Sequence, residues 1–522
     1  MPEFALRELT EAIDPIAVMG TQDPAVTAIS YDSRSVSSGS LFFAIPGAHT
    51  DGHRYIDDAV SRGASAIIHA SPLDHYPPET PCVQVADSRV ALAQVAHRFF
   101  GRPSDHLVLI GVTGTDGKSS TVYYLYQLLR SCGIAAGFFS TVAMDVGDGL
   151  EKNRLRQSTP ESPEIHAALA RMVAAGFTHA VIETTSHGLS PRTARLHGLR
   201  FEAAAFTNLS HEHLEFHGTF EQYRDDKMNL FRALCDNDSS FGVVNAADPN
   251  SRWFSEVTSR PVLSFARTDG DAPVAGTAGT AGTTAAALIA TDCRYHADAT
   301  ECRLVPDGGQ PLAVRIPVPA PFNVENVLAA VLVVSRLVKR PPSDLIAAIE
   351  ALQPVVGRMA PVRGSQPFTV LVDYAHSPGS FEKVFPMFRA NTPGRLIAVF
   401  GSAGERDVLK RPIQGGIAAR YADVLVLTDE DPRGEDSMTI LEQIAAGAMA
   451  ENPSLVHDQT MLLIPDRTEA IAAAVSLARE GDTVVMLGKG HEGNIIYREH
   501  AIEWDEQAVA EQQLVRCGYR IS

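Results

Sequence analysis

The chain has 522 residues, more than one hydrophobic core can serve, and this length predicts about three domains. With 45% hydrophobic and 20% charged residues, its composition is typical of a soluble globular protein. The net charge of −18 argues against sequence-independent binding to nucleic acid, which needs a basic face.

The beginning of the chain has no basic region followed by an apolar segment, and no run reaches the roughly 18 apolar residues that span a bilayer. We therefore expect a cytoplasmic protein without a membrane span, working as a monomer. The six cysteines are scattered without a Cys-x-x-Cys pair. This spacing argues against a zinc site or a disulfide framework and predicts reduced, structural thiols.

Residues 1–103 alternate short apolar runs with turns, which predicts a small α/β domain. Two polar clusters lie between its strands, Asp32-Ser33-Arg34 and Asp51-Gly52-His53. Their side chains suit hydrogen bonding to a sugar or a phosphate. Taken alone, each cluster is more typical of a solvated turn.

An apolar run ends in a glycine-spaced loop that opens a helical pattern, so the sequence predicts strand, loop and helix. Backbone N–H groups of such a loop surround an anion, Lys118 adds a positive charge, and Ser119 can hold Mg²⁺. The spacing from Gly111 is one residue longer than in the usual P-loop, and a chance glycine turn is the alternative. We predict a nucleoside triphosphate site made by Gly114, Thr115, Asp116, Gly117, Lys118, Ser119 and Ser120.

Acids, hydroxyls and imidazoles follow two further apolar strands of the segment 104–340. Glu183 ends the first strand, and the histidine-rich stretch 211–217 follows the second. Such groups beside a phosphate loop suggest metal ions bridging a nucleotide, although spacing alone leaves a capped turn equally open. The Ala/Thr/Gly-rich tract 268–286 predicts a disordered loop, and 288–293 with 301–305 predicts a hairpin.

The last segment, 341–522, has four apolar strands that each run into a polar turn bearing glycine or acidic residues. This pattern predicts a second doubly wound sheet that offers its carboxyl edge to a ligand. We therefore expect an α/β protein of three domains, with boundaries near residues 103 and 340.

In this order, and over nearly the whole chain, the motifs resemble those of the Mur ligases, ATP-dependent amide-forming enzymes of peptidoglycan synthesis. The resemblance is greatest to the ligases that add the third amino acid. It implies a UDP-binding domain, a central P-loop ATPase-like domain and a Rossmann-like domain that binds the amino acid. It also implies ATP and Mg²⁺ as cofactors, with a UDP-N-acetylmuramoyl dipeptide and a free diamino acid as substrates.

The resemblance assigns roles residue by residue. Implied catalytic residues are Lys118, Glu183, His213 and Lys227, and implied magnesium ligands are Ser119, Glu183, His213 and Lys227, the last as a carbamate. Beyond the loop, the implied nucleotide contacts are Asn323, Arg358, Asp373 and His376. The implied contacts to the UDP-dipeptide are Ser33, Ser158, Thr159, Thr185, Ser186 and Arg192. Those nearer the amino acid are Arg411, Glu430, Asp431, Arg433, Gly488 and Glu492.

The implied chemistry begins with transfer of the γ-phosphoryl group of ATP to a substrate carboxylate, and the amine then attacks this acyl phosphate. The stretch Glu430-Asp431-Pro432-Arg433 departs from the Asp-Asn-Pro-Arg of members that add diaminopimelate. The negative charge of Asp431 favours a side-chain ammonium, so we expect L-lysine or L-ornithine. The retained Arg433 leaves meso-diaminopimelate open.

Three alternatives compete with this interpretation. The D-Ala-D-Ala-adding ligase is disfavoured by Ser158-Thr159-Pro160, and folylpolyglutamate synthetase is disfavoured by Asp32-Ser33-Arg34. A nucleotide-binding scaffold without turnover is disfavoured by the intact set of catalytic residues.

Overall fold

The computed structural model describes residues 3–47, 50–153, 157–210, 214–268, 286–296 and 298–521. They form two compact units. The first unit contains the chain up to Ala266 together with Leu328–Pro342, and the second contains Ile289–Val327 and the chain from Ser343 onward. The tract predicted as a disordered loop lies, apart from its ends, outside the described residues. The predicted boundaries at 103 and 340 stay a prediction.

The first hundred residues form a five-stranded sheet in the order β2-β7-β6-β5-β4, and β1 pairs with β3. Side chains alternate along β5, so that Leu41 and Phe43 join one apolar cluster while Phe42 and Ala44 join another. Because both faces are buried, the strand is a continuous apolar run. The strands are β1 Phe4–Ala5, β2 Pro15–Met19, β3 Ala25–Val26, β4 Ala28–Ser30, β5 Ser40–Ala44, β6 Ala64–His69 and β7 Cys82–Val85. The helices are α1 Leu6–Thr10, α2 Ile56–Ser61 and α3 Ser88–Phe99, with 3₁₀ turns at Ser33–Ser35, Gly52–Tyr55 and Pro103–His106.

The rest of the first unit is built on strands in the order β11-β10-β9-β12-β8-β13-β14-β15, parallel from β9 to β15. The chain passes from β8 to β9 and back to β12 on one side of β8, and then continues through β13, β14 and β15 on the other side. The carboxyl end of β8 is therefore the place where such sheets bind ligands. The strands are β8 Val108–Thr113, β9 Ala136–Phe139, β10 Ala143–Asp145, β11 Glu151–Lys152, β12 His179–Glu183, β13 Ala203–Phe206, β14 Phe241–Asn245 and β15 Val262–Arg267. The helices are α4 Lys118–Ser131, α5 Ser162–Ala174, α6 Ser186–Leu189, α7 Leu214–His217, α8 Phe220–Arg232 and α9 Ser251–Glu256.

The second unit contains a six-stranded sheet in the order β19-β20-β24-β21-β22-β23, parallel except for β19. Leu371 and Val485 join the apolar cluster on one face, while Val370 and Val484 join the cluster on the other, which confirms a doubly wound sheet. The strands are β16 Leu288–Tyr295, β17 Thr300–Pro306, β18 Leu312–Ile316, β19 Ala360–Pro361, β20 Thr369–Asp373, β21 Leu396–Phe400, β22 Val424–Leu427, β23 Met461–Leu463, β24 Thr483–Leu487, β25 Asn494–Ile496 and β26 Ala501–Glu503. Helix α10, Pro321–Val338, is followed by α11 Ile346–Glu350, α12 Pro378–Ala390, α13 Lys410–Tyr421, α14 Ser437–Glu451, α15 Arg467–Leu477 and α16 Glu506–Arg516, with a 3₁₀ turn at Pro342–Leu345.

Helix α10, Pro321–Val338, is the one helix among the described residues that is long and apolar enough to cross a membrane by length and composition. Of its apolar window, 61% is buried inside the protein, and Val327–Val334 is buried throughout. A core helix passes the same test of length and composition. The predicted hairpin is also present, because β16 and β17 are neighbours.

Candidate active site

The loop after β8 is held in a conformation that only glycine permits at one position. Gly114 has a φ of 150°, and a Cβ there would lie 1.9 Å from the Thr207 Oγ1 atom. The Asn208 carbonyl accepts the Thr115 N–H at 2.8 Å, and its side-chain oxygen accepts the Asp116 N–H at 3.0 Å. Helix α4 then begins at Lys118, so the loop leads into the positive end of a helix dipole, which suits an anion.

Lys118 curls back over the loop that precedes it. Its Nζ donates hydrogen bonds to the carbonyl of Gly114 at 3.0 Å and to that of Thr115 at 2.7 Å. The ammonium therefore lies beside the loop, where it can pair with the outer phosphates of a bound nucleotide. The predicted strand, loop and helix are confirmed.

Glu183 ends β12 next to this loop and is 2% exposed. Its carboxylate accepts hydrogen bonds from Ser119 Oγ at 2.8 Å and from the Thr141 N–H at 2.9 Å, and the Thr141 Oγ1 lies 2.9 Å from its other oxygen. A carboxylate with a hydroxyl within hydrogen-bond distance offers oxygen ligands that suit Mg²⁺. His213, the implied third ligand, lies outside the described residues. Within the described ranges, no group of three His, Cys, Asp or Glu is arranged to hold a metal.

Lys227 approaches the same loop from α8. It is 1% exposed, and its Nζ donates to the Gly114 carbonyl at 2.6 Å and lies 4.6 Å from the centre of the Tyr223 ring. The Tyr223 hydroxyl is 3.1 Å from Thr115 Oγ1. The structure thus brings Lys118, Lys227 and Glu183 together around the glycine loop.

The residues implied to contact the dipeptide form a hydroxyl network beside Glu183. Thr159 Oγ1 donates to the Glu183 carbonyl at 2.9 Å and accepts from the N–H and the hydroxyl of Thr185, each at 3.0 Å. Ser158 Oγ lies 2.6 Å from Thr141 Oγ1. Sequence reasoning missed Thr141, because a lone threonine on a short connection carries no motif.

A second set of contacts that the sequence analysis missed joins Ser186, His217 and Asp226, all buried. His217 places Nε2 3.0 Å from Ser186 Oγ and Nδ1 2.7 Å from Asp226 Oδ2. Burial lowers the pKa of His217, and the hydrogen bond to Asp226 opposes that effect. Arg192, which the resemblance assigns to substrate binding, donates from Nη2 to the carbonyl of Phe216 at 2.5 Å. It therefore contacts the residue that precedes His217.

Ser33 lies apart from these groups along the chain, at the start of the 3₁₀ turn Ser33–Ser35, and is 7% exposed. The Asp32 carboxylate caps this turn by accepting the Arg34 N–H at 3.0 Å. The turn that sequence analysis weighed as the alternative is therefore present. Tyr31 directly follows β4, and its hydroxyl donates to Glu164 of α5 at 2.6 Å. This hydrogen bond links the end of β4 to α5.

In the second unit, Glu430 follows β22 and is 7% exposed. Its Oε2 atom has no hydrogen-bond partner among the described residues. Burial raises the pKa of this carboxyl group, and the positive charges of Lys410 and His376 oppose the rise. Gly488 lies opposite with a φ of 101°, and a Cβ there would be 3.3 Å from Glu430 Oε2. A buried carboxylate with an open oxygen is a candidate acceptor for a cation.

Asp431 differs from expectation because its charge is already compensated. The buried Lys489 Nζ lies 2.8 Å from Asp431 Oδ1 and 2.6 Å from Glu492 Oε2, and the same Asp431 oxygen accepts the Ile496 N–H at 3.0 Å. Arg433 has a φ of 52°, and its Nε has no hydrogen-bond partner among the described residues. Glu430 and Arg433 thus present one anionic and one cationic group with unused hydrogen-bonding capacity.

The residues of the second unit implied to contact the nucleotide, and Arg411, implied to lie near the amino acid, have partners within the protein. Asp373 accepts the N–H groups of Met359 and Ala375, both at 2.8 Å, and burial raises the pKa of its carboxyl group. The Arg358 guanidinium lies 4.5 Å from the centre of the Tyr374 ring. Three further contacts are His376 Nδ1 to the Tyr374 carbonyl at 2.9 Å, Asn323 Nδ2 to the Pro319 carbonyl at 2.8 Å, and buried Arg411 to both oxygens of Glu435 at 2.8 and 3.0 Å.

Comparison with known proteins places this geometry in a family. Residues 25–100 match the model of the Mur ligase family catalytic domain, 112–334 match the Mur ligase middle domain, and 357–490 match the Mur ligase glutamate ligase domain.

Three curated relatives cover nearly the whole chain. A UDP-N-acetylmuramyl-tripeptide synthetase of Roseiflexus sp. (strain RS-1) is 44% identical over 98% of this chain and 99% of its own. One from Treponema pallidum (strain Nichols) is 43% identical over 97% of each chain. A UDP-N-acetylmuramoyl-L-alanyl-D-glutamate–2,6-diaminopimelate ligase of Geobacillus kaustophilus (strain HTA426) is 38% identical over 95% of this chain and 96% of its own.

Among solved structures, a UDP-N-acetylmuramoyl-L-alanyl-D-glutamate–2,6-diaminopimelate ligase superposes with a TM-score of 0.67 at 26% identity, covering 99% of this chain and 100% of its own. The family models, the full-length relatives and this shared three-domain α/β architecture agree. The chain belongs to the Mur ligase family.

Proposed function

We propose that this chain is the ATP-dependent ligase that adds a diamino acid to UDP-N-acetylmuramoyl-L-alanyl-D-glutamate, forming the tripeptide of a peptidoglycan precursor. The observation that carries the proposal is the convergence of Lys118, Ser119 and Glu183 at the carboxyl ends of β8 and β12. The relatives named for tripeptide synthesis share 40–44% of their residues with this chain over nearly their full length. We expect the enzyme to work in the cytoplasm as a monomer.

The first step is activation of the substrate carboxylate. Its negative charge repels an amine, and oxide is a poor leaving group, so the γ-phosphoryl group of ATP is transferred to it. Lys118 and the N–H groups at the start of α4 stabilise the negative charge on the phosphates. The neutral α-amine of the amino acid then attacks the acyl phosphate, and the tetrahedral intermediate expels phosphate.

Magnesium fits the oxygen donors on Ser119 and Glu183, and when bound it neutralises charge on the transferring phosphoryl group. We propose His213 and carbamylated Lys227 as further ligands. Carbamylation turns a cation into an anion with two oxygens, and Lys227 Nζ already lies 2.6 Å from the loop carbonyl of Gly114. An intact mass higher by one CO₂ in bicarbonate, absent in Lys227→Arg, supports this modification, and an unmodified Lys227 under the same conditions contradicts it.

We propose a monocarboxylic diamino acid, L-lysine or L-ornithine, as the amino acid. The argument now rests on Glu430, because Lys489 compensates the charge of Asp431. A side-chain ammonium satisfies the open Glu430 oxygen, and Arg433 is a partner for a carboxylate. A second carboxylate, as in meso-diaminopimelate, places a further negative charge beside that of buried Glu430.

The test is phosphate release from ATP by the full chain with Mg²⁺, bicarbonate, the UDP-muramoyl dipeptide and a panel of amino acids. We expect release that requires both dipeptide and diamino acid, and loss of activity by about a hundredfold or more in Lys118→Ala. The matched control is Lys383→Ala on α12, with unchanged activity. Full activity in Lys118→Ala contradicts the proposal.

The same assay separates the alternatives. Release that requires the UDP-tripeptide and D-Ala-D-Ala indicates the neighbouring ligase, release that requires a folate and glutamate indicates folylpolyglutamate synthetase, and no release with any amino acid indicates a scaffold. The amino-acid assignment fails if meso-diaminopimelate gives a kcat/KM about tenfold above those of lysine and ornithine, a difference of about 1.4 kcal/mol.

A further inference from the structure

Two of the six cysteines lie on neighbouring strands of one hairpin. Strands β16 and β17 are adjacent, and at their turn the backbone N–H of His296 donates to the Ala299 carbonyl at 2.8 Å. Cys293 lies three residues before His296, and Cys302 lies three residues after Ala299. The hairpin therefore sets these two residues opposite each other.

The register gives the two cysteines a geometry that a disulfide can bridge. Antiparallel pairs alternate between hydrogen-bonded and non-hydrogen-bonded positions, and three steps from a hydrogen-bonded pair is a non-hydrogen-bonded position. Residues there have Cα atoms about 4.5 Å apart, within the roughly 4.4–6.8 Å found across disulfides.

Neighbouring contacts support this register. Arg303 and Asp292, one step beyond the cysteines, form an ion pair across the strands with Nε and Oδ2 3.6 Å apart. Both side chains are more than 60% exposed, at 62% and 67%. Asp292 itself has a φ of 52°, so the exposures rather than strict alternation show the side: Cys302 is 5% exposed and Cys293 is half-buried.

The two thiols also contact each other. A hydrogen bond with the Cys293 side chain, together with burial, raises the pKa of the Cys302 thiol. Cys293 is half-buried, so a small reagent reaches its sulfur before that of Cys302. Both residues are thiols in the structure.

We propose that Cys293 and Cys302 are an oxidisable dithiol that closes to a cross-strand disulfide by exchange with a low-molecular-weight disulfide. The Cys293 thiolate attacks one sulfur of the small disulfide, forms a mixed disulfide and expels one small thiolate. Cys302 loses its proton to solvent and attacks the Cys293 sulfur, releasing the second small thiolate. Two cysteine thiols are oxidised, one small disulfide is reduced to two thiols, and reduction reverses the exchange.

The experiment equilibrates the full chain with oxidised and reduced glutathione, quenches it with acid and an alkylating reagent, and maps the digested peptides by mass spectrometry. We expect a peptide pair joined through Cys293 and Cys302. The cross-linked form should exceed the dithiol about tenfold when oxidised and reduced glutathione are present at equal concentrations. Dithiothreitol should restore both alkylation sites.

Single variants make the result decisive. In Cys302→Ser, Cys293 should stop at the mixed disulfide with glutathione, and in Cys293→Ser, Cys302 should stay alkylatable. Cys132→Ser and Cys235→Ser, which leave the pair intact, should still form the cross-link. The proposal is overturned if exposed Cys517 reacts with glutathione while Cys293 and Cys302 both remain alkylatable, or if either joins a different cysteine.

Discussion

Two buried glutamates, one in each unit, carry their charge in different surroundings. Glu183 accepts hydrogen bonds from Ser119 and from Thr141, so the protein itself supplies partners for its carboxylate. Glu430 has an oxygen without a partner among the described residues, so its ionised form gains a partner only from a bound cation. The first group is suited to hold a metal, and the second is suited to select a ligand.

Glu430→Gln should make the protein more stable at neutral pH and weaken amino-acid binding. The folded pKa of Glu430 is raised above its unfolded value, so the unfolded chain releases this proton first and stability falls as pH rises between the two values. Glutamine removes that cost. We expect a gain on the order of 1 kcal/mol at pH 7 in urea unfolding, vanishing below about pH 4, with a KM for the amino acid about tenfold higher. Lower stability with an unchanged KM would mean that Glu430 is structural.

Glu183→Gln keeps the shape of the side chain and removes its charge. We expect tripeptide synthesis to fall roughly a hundredfold, with the Mg²⁺ concentration for half-maximal rate shifted upward and little change in melting temperature. The exposed Glu503→Gln serves as the control and should retain full rate. An active Glu183→Gln enzyme with a normal magnesium requirement contradicts the assigned role.

Individual residues divide into those that a local motif reveals and those that only the fold reveals. Lys118, Ser119 and Glu183 were predictable because a glycine loop or a strand end marks each one. The pairing of Asp431 with Lys489 and the contacts of His217 with Asp226 and Ser186 were not, because their partners come from other elements. The spacing of residues along the chain does not encode such contacts.

At the scale of elements, the junction of β8, its loop and α4 depends on Gly114. In Gly114→Ala, the new Cβ meets Thr207 Oγ1 at 1.9 Å, so the loop must move and the ligase rate should fall about a hundredfold. Gly133→Ala is the matched control, since its φ of 80° is also positive but nothing lies within 4 Å of its Cβ. It should cost about 1 kcal/mol of stability and leave the rate unchanged. Equal rates in the two variants would refute the argument.

Arg467 joins four elements of the second unit. At the start of α15, its guanidinium contacts Glu506 of α16 at 2.6 Å and donates to the carbonyls of Asp429, two residues beyond β22, and Leu487, the last residue of β24. Arg467→Met should cost about 3 kcal/mol or more in denaturant unfolding, because Glu506 is left buried without its cation. The half-exposed Arg420→Met should cost under about 1 kcal/mol. Equal losses would show that burial of the pair does not matter.

The main strands and helices followed from hydrophobic patterns, whereas their arrangement did not. The apolar runs that became β8, β12, β20 and β24 are plain in the sequence, and the hairpin of β16 and β17 was predicted. The insertion of β24 between β20 and β21 is a pairing of segments distant along the chain. Short elements such as β11 and β25 carry too few residues for a pattern.

At the scale of the whole molecule, we propose that the two units divide the chemistry of one reaction. The first unit brings Lys118, Ser119 and Glu183 together at the carboxyl ends of β8 and β12, an arrangement that suits a nucleotide and a metal. The second unit holds Glu430 and Arg433, groups of opposite charge whose unpartnered atoms suit an amino acid. The resemblance of motifs predicted this division, and it stays a prediction, whereas the membership of the family is shown over nearly the full chain.

The central claim is that ATP activates a substrate carboxylate as an acyl phosphate, and oxygen transfer tests it most directly. The UDP-muramoyl dipeptide is prepared with the heavy oxygen isotope in the reacting carboxylate, and the phosphate released during tripeptide synthesis is examined by mass spectrometry. The account predicts one heavy oxygen in each phosphate released, in step with each amide formed. Amide formation with unlabelled phosphate would contradict it.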